Sequence, residues 1–186
     1  LSGLYLAGRS LYGGLATAGG KLGTVTGTAT GFYGMNTVSS GLSISSHKLA
    51  GGAAELSLGQ NVGLVAQGMR ATKDQFQLDM GGARTWIKMG PVNLNAEVVA
   101  SKSGSSEDLG WVALAGAQTQ VAGGILSLSG QYTSADFASL NAAAAGKAGG
   151  IAEATAAWAG TVWRSEKGAS AYVGIIGKLA ADNMDG

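Results

Sequence analysis

The amino-acid sequence predicts an all-β protein, an antiparallel up-and-down meander of long strands that forms a transmembrane β-barrel or part of a larger barrel. The strongest observation is the run from Ala53 to Arg70, in which apolar residues of one parity alternate with small or polar residues of the other. A period of two is typical of a strand whose side chains point to opposite faces. The run is about three times as long as the usual strand of about 5–6 residues. Long strands with one apolar face suit a sheet that separates hydrocarbon from water.

The composition is poor in charge and rich in glycine, as such a sheet requires. Charged residues make up 12% of the 186 residues, about half the usual share of about 25%. The chain has 33 glycines but a single proline, Pro91, whereas disordered linkers and collagen are rich in both residues. Glycine within strands permits the bends, bulges and close approach of neighbours that curved sheets need.

Net charge, cysteine content and hydropathy exclude several other classes of protein. The net charge of +1 comes from scattered lysines and arginines, whereas nucleic-acid binding needs a clustered basic excess. We therefore expect no nucleic-acid partner. Cysteine is absent, so the chain can form neither a disulfide nor a thiolate metal site. No apolar stretch approaches the roughly 20 residues of a membrane-spanning helix.

The whole chain, residues 1–186, is interpreted as one barrel domain or a barrel fragment. Leu1 is not an initiator methionine, no signal-peptide pattern follows it, and residues 180–186 form a polar tail without a closing apolar strand. We therefore expect further sequence on at least one side.

The first third is predicted to form a hairpin of long strands. Its strands are expected at Leu4–Thr17 and Leu22–Val38, with a turn at Ala18–Lys21. Four threonines at a spacing of two, from Thr24 to Thr30, favour a strand over a helix. Ser39–Leu49 fits either a short strand or a loop.

The rest of the chain continues the pattern, which gives roughly eight to ten strands in all. Within Gln75–Met89 the apolar parity changes at Gly81-Gly82, which predicts a β-bulge there. Asn141–Trp158 is alanine-rich enough for a helix, but a strand is favoured from Ile151 onward. The remaining strands are predicted at Val92–Lys102, Leu109–Val121, Ile125–Ser134, Ile151–Arg164 and Ala169–Ala180, with an irregular stretch at Ala135–Gly150.

The residues that could carry catalysis or hold a cofactor are few. His47 is the single histidine, and it could pair with Ser45 or Ser46 as base and nucleophile, or lie in a serine-rich link without a catalytic role. No distinctive motif surrounds it, no cluster of metal-ligating residues is visible, and no glycine pair belongs to a phosphate-binding loop. Glu107-Asp108 is interpreted as a solvated loop. We expect no enzyme activity, no catalytic residue, no metal and no cofactor.

Polar residues on the second face of the strands are the candidate functional residues. They could line a water-filled lumen, and their mixed charge would give little ion preference, because selectivity follows rings of one sign. Alternatively, they face bulk solvent on one side of a soluble sheet. The candidate lumen-lining residues are Glu55, Asn61, Gln67, Arg84, Lys88, Asn93, Asn95, Glu97, Glu153 and Arg164.

Four tryptophans lie in predicted strands, three of them near a strand end: Trp86, Trp111, Trp158 and Trp163. Indole rings combine an apolar body with a polar N–H and therefore suit a membrane interface. The alternative is ordinary core packing.

Gly51–Lys102 contains three long alternating strands, and the segment Gly123–Ser134 ends in Tyr132-Thr133-Ser134. In these segments the chain resembles an outer-membrane β-barrel protein of the porin type. Similar Gly- and Ala-rich barrels occur among porin-like envelope proteins, including some that serve in surface layers. The resemblance implies an outer-membrane location and either diffusion of small solutes or an envelope scaffold role.

We therefore expect a passive pore or envelope scaffold whose partners are the lipid bilayer and either further copies of the chain or further segments. Ten strands are too few for a wide channel, which takes about 16 strands. Hydrocarbon is expected to contact two groups of apolar residues, Leu56, Leu58 and Leu64, and Val92, Leu94 and Val98. The alternative is a secreted structural or adhesin protein with stacked Gly/Ala-rich strands.

Overall fold

The computed structural model describes residues 10–40, 43–104, 106–139, 150–164 and 170–182. These residues form ten strands in a single antiparallel sheet, in which each strand pairs with its neighbours in sequence. None of them forms a helix long and apolar enough to cross a membrane. The strands are β1 (Ser10–Leu22), β2 (Val25–Ser40), β3 (Ser43–Leu58), β4 (Val62–Lys73), β5 (Phe76–Met89), β6 (Val92–Ser103), β7 (Gly110–Val121), β8 (Gly124–Thr133), β9 (Ile151–Arg164) and β10 (Ser170–Asp182).

The predicted all-β, antiparallel up-and-down meander of long strands is confirmed, and the ten strands of the described residues fall within the predicted range of roughly eight to ten. The sheet is open, because the strand order runs from β1 to β10 and, in the described part of the chain, no backbone pairing joins β10 to β1. β1 pairs with β2 alone and β10 with β9 alone, so both are edge strands. A closed barrel is therefore not part of the observed fold.

The first turn lies later in the chain than predicted. Ala18–Lys21 belong to β1, where they pair with Thr26–Ala29, and the chain turns at Gly23, whose φ is 61°. A glycine pair such as Gly19-Gly20 fits a turn or a strand with close neighbours equally well, which is why composition misplaced the turn. Ser39–Leu49, which was open to two interpretations, lies within β2 and β3 except at residues 41 and 42, outside the described residues.

The alternating run from Ala53 to Arg70 is two strands rather than one. β3 ends at Leu58, β4 begins at Val62, and these two residues pair across a three-residue link. When a link has an odd number of residues, the two strands that it joins place residues of the same parity on the same face. The alternation therefore continues through the turn, and the sequence pattern does not reveal the turn. Gly59, with a φ of 61°, supplies the left-handed conformation that opens this link.

Replacing Gly59 with alanine is expected to lower the free energy of unfolding by about 1–2 kcal/mol, because a left-handed conformation costs a residue with a Cβ about that much. A methyl group there meets no atom within 4 Å, so backbone strain alone sets the cost. Urea unfolding of the folded chain measures it. The neighbouring Gln60→Ala variant serves as the control, and an equal loss there would contradict the explanation.

The predicted bulge at Gly81-Gly82 is wrong. The pairing of β5 is unbroken on both sides, with Gly81 opposite Gly68 and Ala100. The apolar parity changes because Leu78 and Met80 pack into a cluster on one face, while the later apolar residues of β5 lie on the other. The shift in register between strands occurs instead between Ala171 and Tyr172, in the last hairpin.

Candidate functional site: the two faces of the sheet

The pairing of the strands assigns side chains to two faces, because paired residues of an antiparallel sheet point to the same side. The face that carries Leu64 is called here the apolar face, and the face that carries Gln67 the polar face. Between Gly63 and Ala71, β4 alternates strictly between buried residues on the polar face and less buried ones on the apolar face.

Eight of the ten candidate lumen residues lie together on the polar face, as the register shows for Glu55, Gln67, Arg84, Lys88, Asn93, Asn95, Glu97 and Glu153. Asn61 lies in the link between β3 and β4, where its carbonyl accepts a hydrogen bond from the Lys88 amide at 2.6 Å. Arg164 lies past the shift in register at the end of β9, where strict alternation no longer applies.

Hydrogen bonds join polar-face residues both along and between strands. Gln67, only 7% exposed, donates from Nε2 to Oε1 of Glu97 at 3.1 Å, although β5 lies between the two strands. Gly82 stands opposite Gln67 in β5 and leaves room for this contact because it has no side chain. Lys178 Nζ lies 3.0 Å from Oε1 of Glu153. Acidic and basic groups are therefore mixed along the polar face.

The apolar face is exposed along the sheet. Leu56, Leu64 and Val98 are 55%, 50% and 52% exposed, and Leu179 on β10 is 77% exposed. One row of paired residues illustrates its character from β2 to β10: Val25, Leu58, Val62, Ile87, Leu94, Ala117, Leu128, Ala156 and Gly177.

Charged residues on the apolar face gather at one end of the sheet. By register, Lys48, Arg70, Asp79 and Lys102 are the charged residues that the described strands place there, leaving aside Arg164. Arg70 donates to both carboxylate oxygens of Asp79, at 2.5 and 3.0 Å. Nearer the other end of the face, Thr85 donates its hydroxyl hydrogen to the Gly63 carbonyl at 2.9 Å.

The tryptophans divide between the faces. Trp86 lies on the polar face, where its ring covers Gly63 closely enough that a Cβ there would overlap it. Trp111 lies on the apolar face against Tyr132, with ring centroids 4.5 Å apart. Trp158, also on that face, donates its indole N–H to the Val121 carbonyl at 3.0 Å. Trp163, 55% exposed, lies at the end of β9.

An apolar cluster occupies one end of the polar face, beside the charged end of the apolar face. It joins residues of six strands, β2 to β7, and the residues that the structure describes form no second sheet that could cover them. Because these side chains are buried against one another on one side of a single sheet, this face is concave. Its buried members are Phe32, Leu49, Met69, Ala71, Leu78, Met80, Val99, Val112 and Phe137.

Phe137 reaches this apolar cluster from the segment that follows β8. It is 2% exposed, and the segment is fixed by hydrogen bonds from the Ala138 amide to Ser101 Oγ and from the Trp111 amide to Ser134 Oγ, both at 2.8 Å. Gly110 permits the approach, because a Cβ there would overlap the backbone of Asp136 and Phe137. Sequence reasoning missed this residue because it lies in an irregular stretch. The parity change of Leu78 and Met80 was the available signal.

His47 lies on β3 with its ring edge-on to Phe76, the ring centroids being 5.5 Å apart. The contact places the imidazole beside an apolar aromatic ring. Among the residues that the structure describes, no group of three or more histidines, aspartates or glutamates could hold a metal ion.

Comparison with known proteins gives no relative from which a function could be transferred. Neither a protein-family model, nor a curated protein, nor a solved structure matches the chain. A function for the chain is therefore inferred from the chemistry of the two faces.

Proposed function

We propose that this chain is an outer-membrane β-barrel protein of the porin type that acts as a passive pore for small polar solutes. The observation that carries the proposal is the separation of the two faces. One face is apolar and exposed along the ten strands, and the other gathers most of the charged and amide side chains. A sheet of this kind is stable where hydrocarbon lies on one side and water on the other.

The dimensions of the apolar face support the proposal. In β5 it runs from Gly81 to Met89 and in β6 from Val92 to Ala100, before Asp79 and Lys102 begin the charged end. Nine residues match the lower end of the roughly 9–11 residues with which a tilted strand crosses the hydrocarbon core of a bilayer. Thr85 fits such a band because its hydroxyl is satisfied by the Gly63 carbonyl.

The edges of the sheet support closure in a membrane. Unpaired backbone groups of β1 and β10 would each cost several kcal/mol in hydrocarbon, so an inserted sheet must pair them. The pairing register also supports closure. The row of paired residues that starts at Leu22, the last residue of β1, reaches β10 at Gly177, near the middle of that strand. Such a stagger is the shear that tilts the strands of a barrel.

The lining of the polar face supports passage of small polar solutes without strong ion preference. Acidic and basic residues are mixed there, and the described strands form no ring of one sign. The apolar cluster around Phe137 narrows the path at its end of the sheet. Further copies of the chain or further segments would provide additional pores or a wider wall.

Reconstitution of the full-length protein tests the proposal. We expect folding to require detergent or lipid, and we expect steps of conductance in a planar bilayer with little preference between cations and anions. Insertion without conductance would replace the pore with an envelope scaffold role. Folding to the full strand content in plain buffer would contradict the membrane assignment.

A cysteine pair is expected to detect closure, since the native chain has no cysteine. A barrel closed with this stagger would place the middle of β1 beside the first half of β10. Val173→Cys is therefore combined in turn with Gly14→Cys, Ala16→Cys and Ala18→Cys. Disulfide formation requires Cβ atoms about 3.5–4.5 Å apart. We expect one pair to cross-link rapidly within a single chain in vesicles. Cross-linked dimers alone would show that the edges pair with a second copy.

A secreted structural protein is the second candidate, and one observation favours it. Rows of small residues cross the apolar face, such as Ala18, Ala29, Ala54, Ala66 and Ala83. A surface this smooth permits close stacking of a second sheet. The same reconstitution separates the candidates, because stacked sheets would form in buffer without lipid.

A further inference from the structure

We infer that a groove on the polar face, across β6 to β10, is a binding subsite for a neutral polyhydroxylated solute such as an oligosaccharide. The inference names the solute class and rests on the proposed function, which assigns the polar face to the solute path. The groove has a volume of about 420 Å³, within the range of about 300–1,000 Å³ typical of ligand pockets.

Gly116 allows the amide of Asn95 to form part of the floor of the groove. This residue lies opposite Asn95 and Ser129 in one row of the polar face. A Cβ at Gly116 would come within 2.5 Å of Asn95 Oδ1, so the amide of Asn95 extends over the space that a larger residue would fill. Leu114, on the same face of β7, adds an apolar surface beside it. A sugar ring offers both C–H groups and hydroxyls to such a floor.

Amide and hydroxyl groups surround this floor. Gln118 and Ser127 lie on one side, where the amide donates to the hydroxyl across a long 3.4 Å. Gln131 lies on the other side and donates to Thr133 at 3.0 Å. Ser129 contributes a further hydroxyl from the row of Gly116. Each of these groups both donates and accepts hydrogen bonds, and this two-way capacity matches the hydroxyls of a sugar.

The charges of the groove favour a neutral ligand. Glu153 and Lys178 both line it, and they form an ion pair of 3.0 Å with each other. An anion would have to compete with Glu153 for the ammonium group, and a cation with Lys178 for the carboxylate. A neutral solute accepts hydrogen bonds from one partner and donates to the other without separating the pair.

Binding to the detergent-solubilised full chain tests the inference independently of conductance. Maltotriose serves as the neutral probe and trigalacturonate, an anionic trisaccharide, as the charged one, each measured by calorimetric titration and saturation-transfer NMR. Ser129→Leu fills the groove from an exposed position, and Gly116→Ala displaces Asn95. Gly130→Ala is the matched control, because Gly130 follows Ser129 on the opposite face and a Cβ there makes only an ordinary contact of 3.8 Å.

We expect saturable binding of maltotriose that weakens at least tenfold in Ser129→Leu and Gly116→Ala and stays unchanged in Gly130→Ala. Trigalacturonate is expected to bind more weakly than maltotriose. Equal or tighter binding of the anion, equal binding by Ser129→Leu, or no saturable binding to protein with its full strand content would overturn the inference. Maltotriose binding without conductance would overturn the pore alone, and conductance without binding would overturn the subsite alone.

Discussion

Leu64→Arg is expected to destabilise the bilayer-embedded chain by about 2–4 kcal/mol, the cost of a basic residue near the midplane on the lipid face of a barrel. Leu64 is 50% exposed and lies well inside the apolar face, with Leu56 beside it on β3. In water the same substitution at a half-exposed site would change stability by only about 0.5 kcal/mol. Urea unfolding from lipid vesicles therefore shows whether hydrocarbon or water contacts this face.

Thr72→Arg is the matched control for this measurement. Thr72 lies on the same strand and the same face as Leu64, beyond Arg70 at the charged end. A basic residue near the interface of a bilayer costs only about 0–1 kcal/mol. We expect a large difference between the two variants in vesicles. Equal and small effects would mean that no hydrocarbon contacts Leu64, and the membrane assignment would be wrong.

The alternation along the strands made the fold class predictable, but not every turn. Where a link has an odd number of residues, as between Leu58 and Val62, the parity continues and the turn is invisible to a period-of-two pattern. Where a link carries a strong turn dipeptide, as at Gly90-Pro91, its predicted place is correct. The positions of such turns depend on residues of positive φ, such as Gly59. The sequence alone does not distinguish Gly59 from the many other glycines of the chain.

The even or odd position of each residue within its strand also predicted that most candidate lumen residues lie on one face. Alternation is a local property of each strand, and the pairing register relates the faces of neighbouring strands to one another. It could not predict contacts that depend on curvature. Gln67 meets Glu97 across an intervening strand, and this contact requires a concave sheet and the missing side chain of Gly82. Trp86 shows the same limit. Its place at the polar face follows from its parity, but its expected role at an interface was argued from residue type alone.

The apolar cluster around Phe137 could not be derived from periodicity, because it combines strand residues with one side chain from an irregular segment. Leu78 and Met80 were visible in the sequence as apolar residues on the polar-face parity, and a bulge was inferred to return them to the apolar side. The structure instead leaves the strand regular and buries both against the cluster. The apparent change of apolar parity along β5 thus marked a packing site on the polar face.

Phe137→Ala is expected to lower the free energy of unfolding by about 3–5 kcal/mol, the usual cost of removing a buried phenylalanine ring. Its ring is 2% exposed within the cluster that joins β2 to β7. If the polar face lines a pore, the same variant should raise the conductance, because the cluster narrows the path at that end. Urea unfolding and single-channel recording measure the two effects on one protein.

Leu109→Ala is the control, since Leu109 lies in the link before β7 at the same end of the sheet but is 62% exposed. We expect little change in its stability and none in its conductance. A Phe137→Ala variant that loses stability but conducts as before would place the path away from the cluster, toward β8 to β10. Unchanged stability would mean that Phe137 does not pack on the concave face in the membrane, since a buried ring cannot be removed without cost.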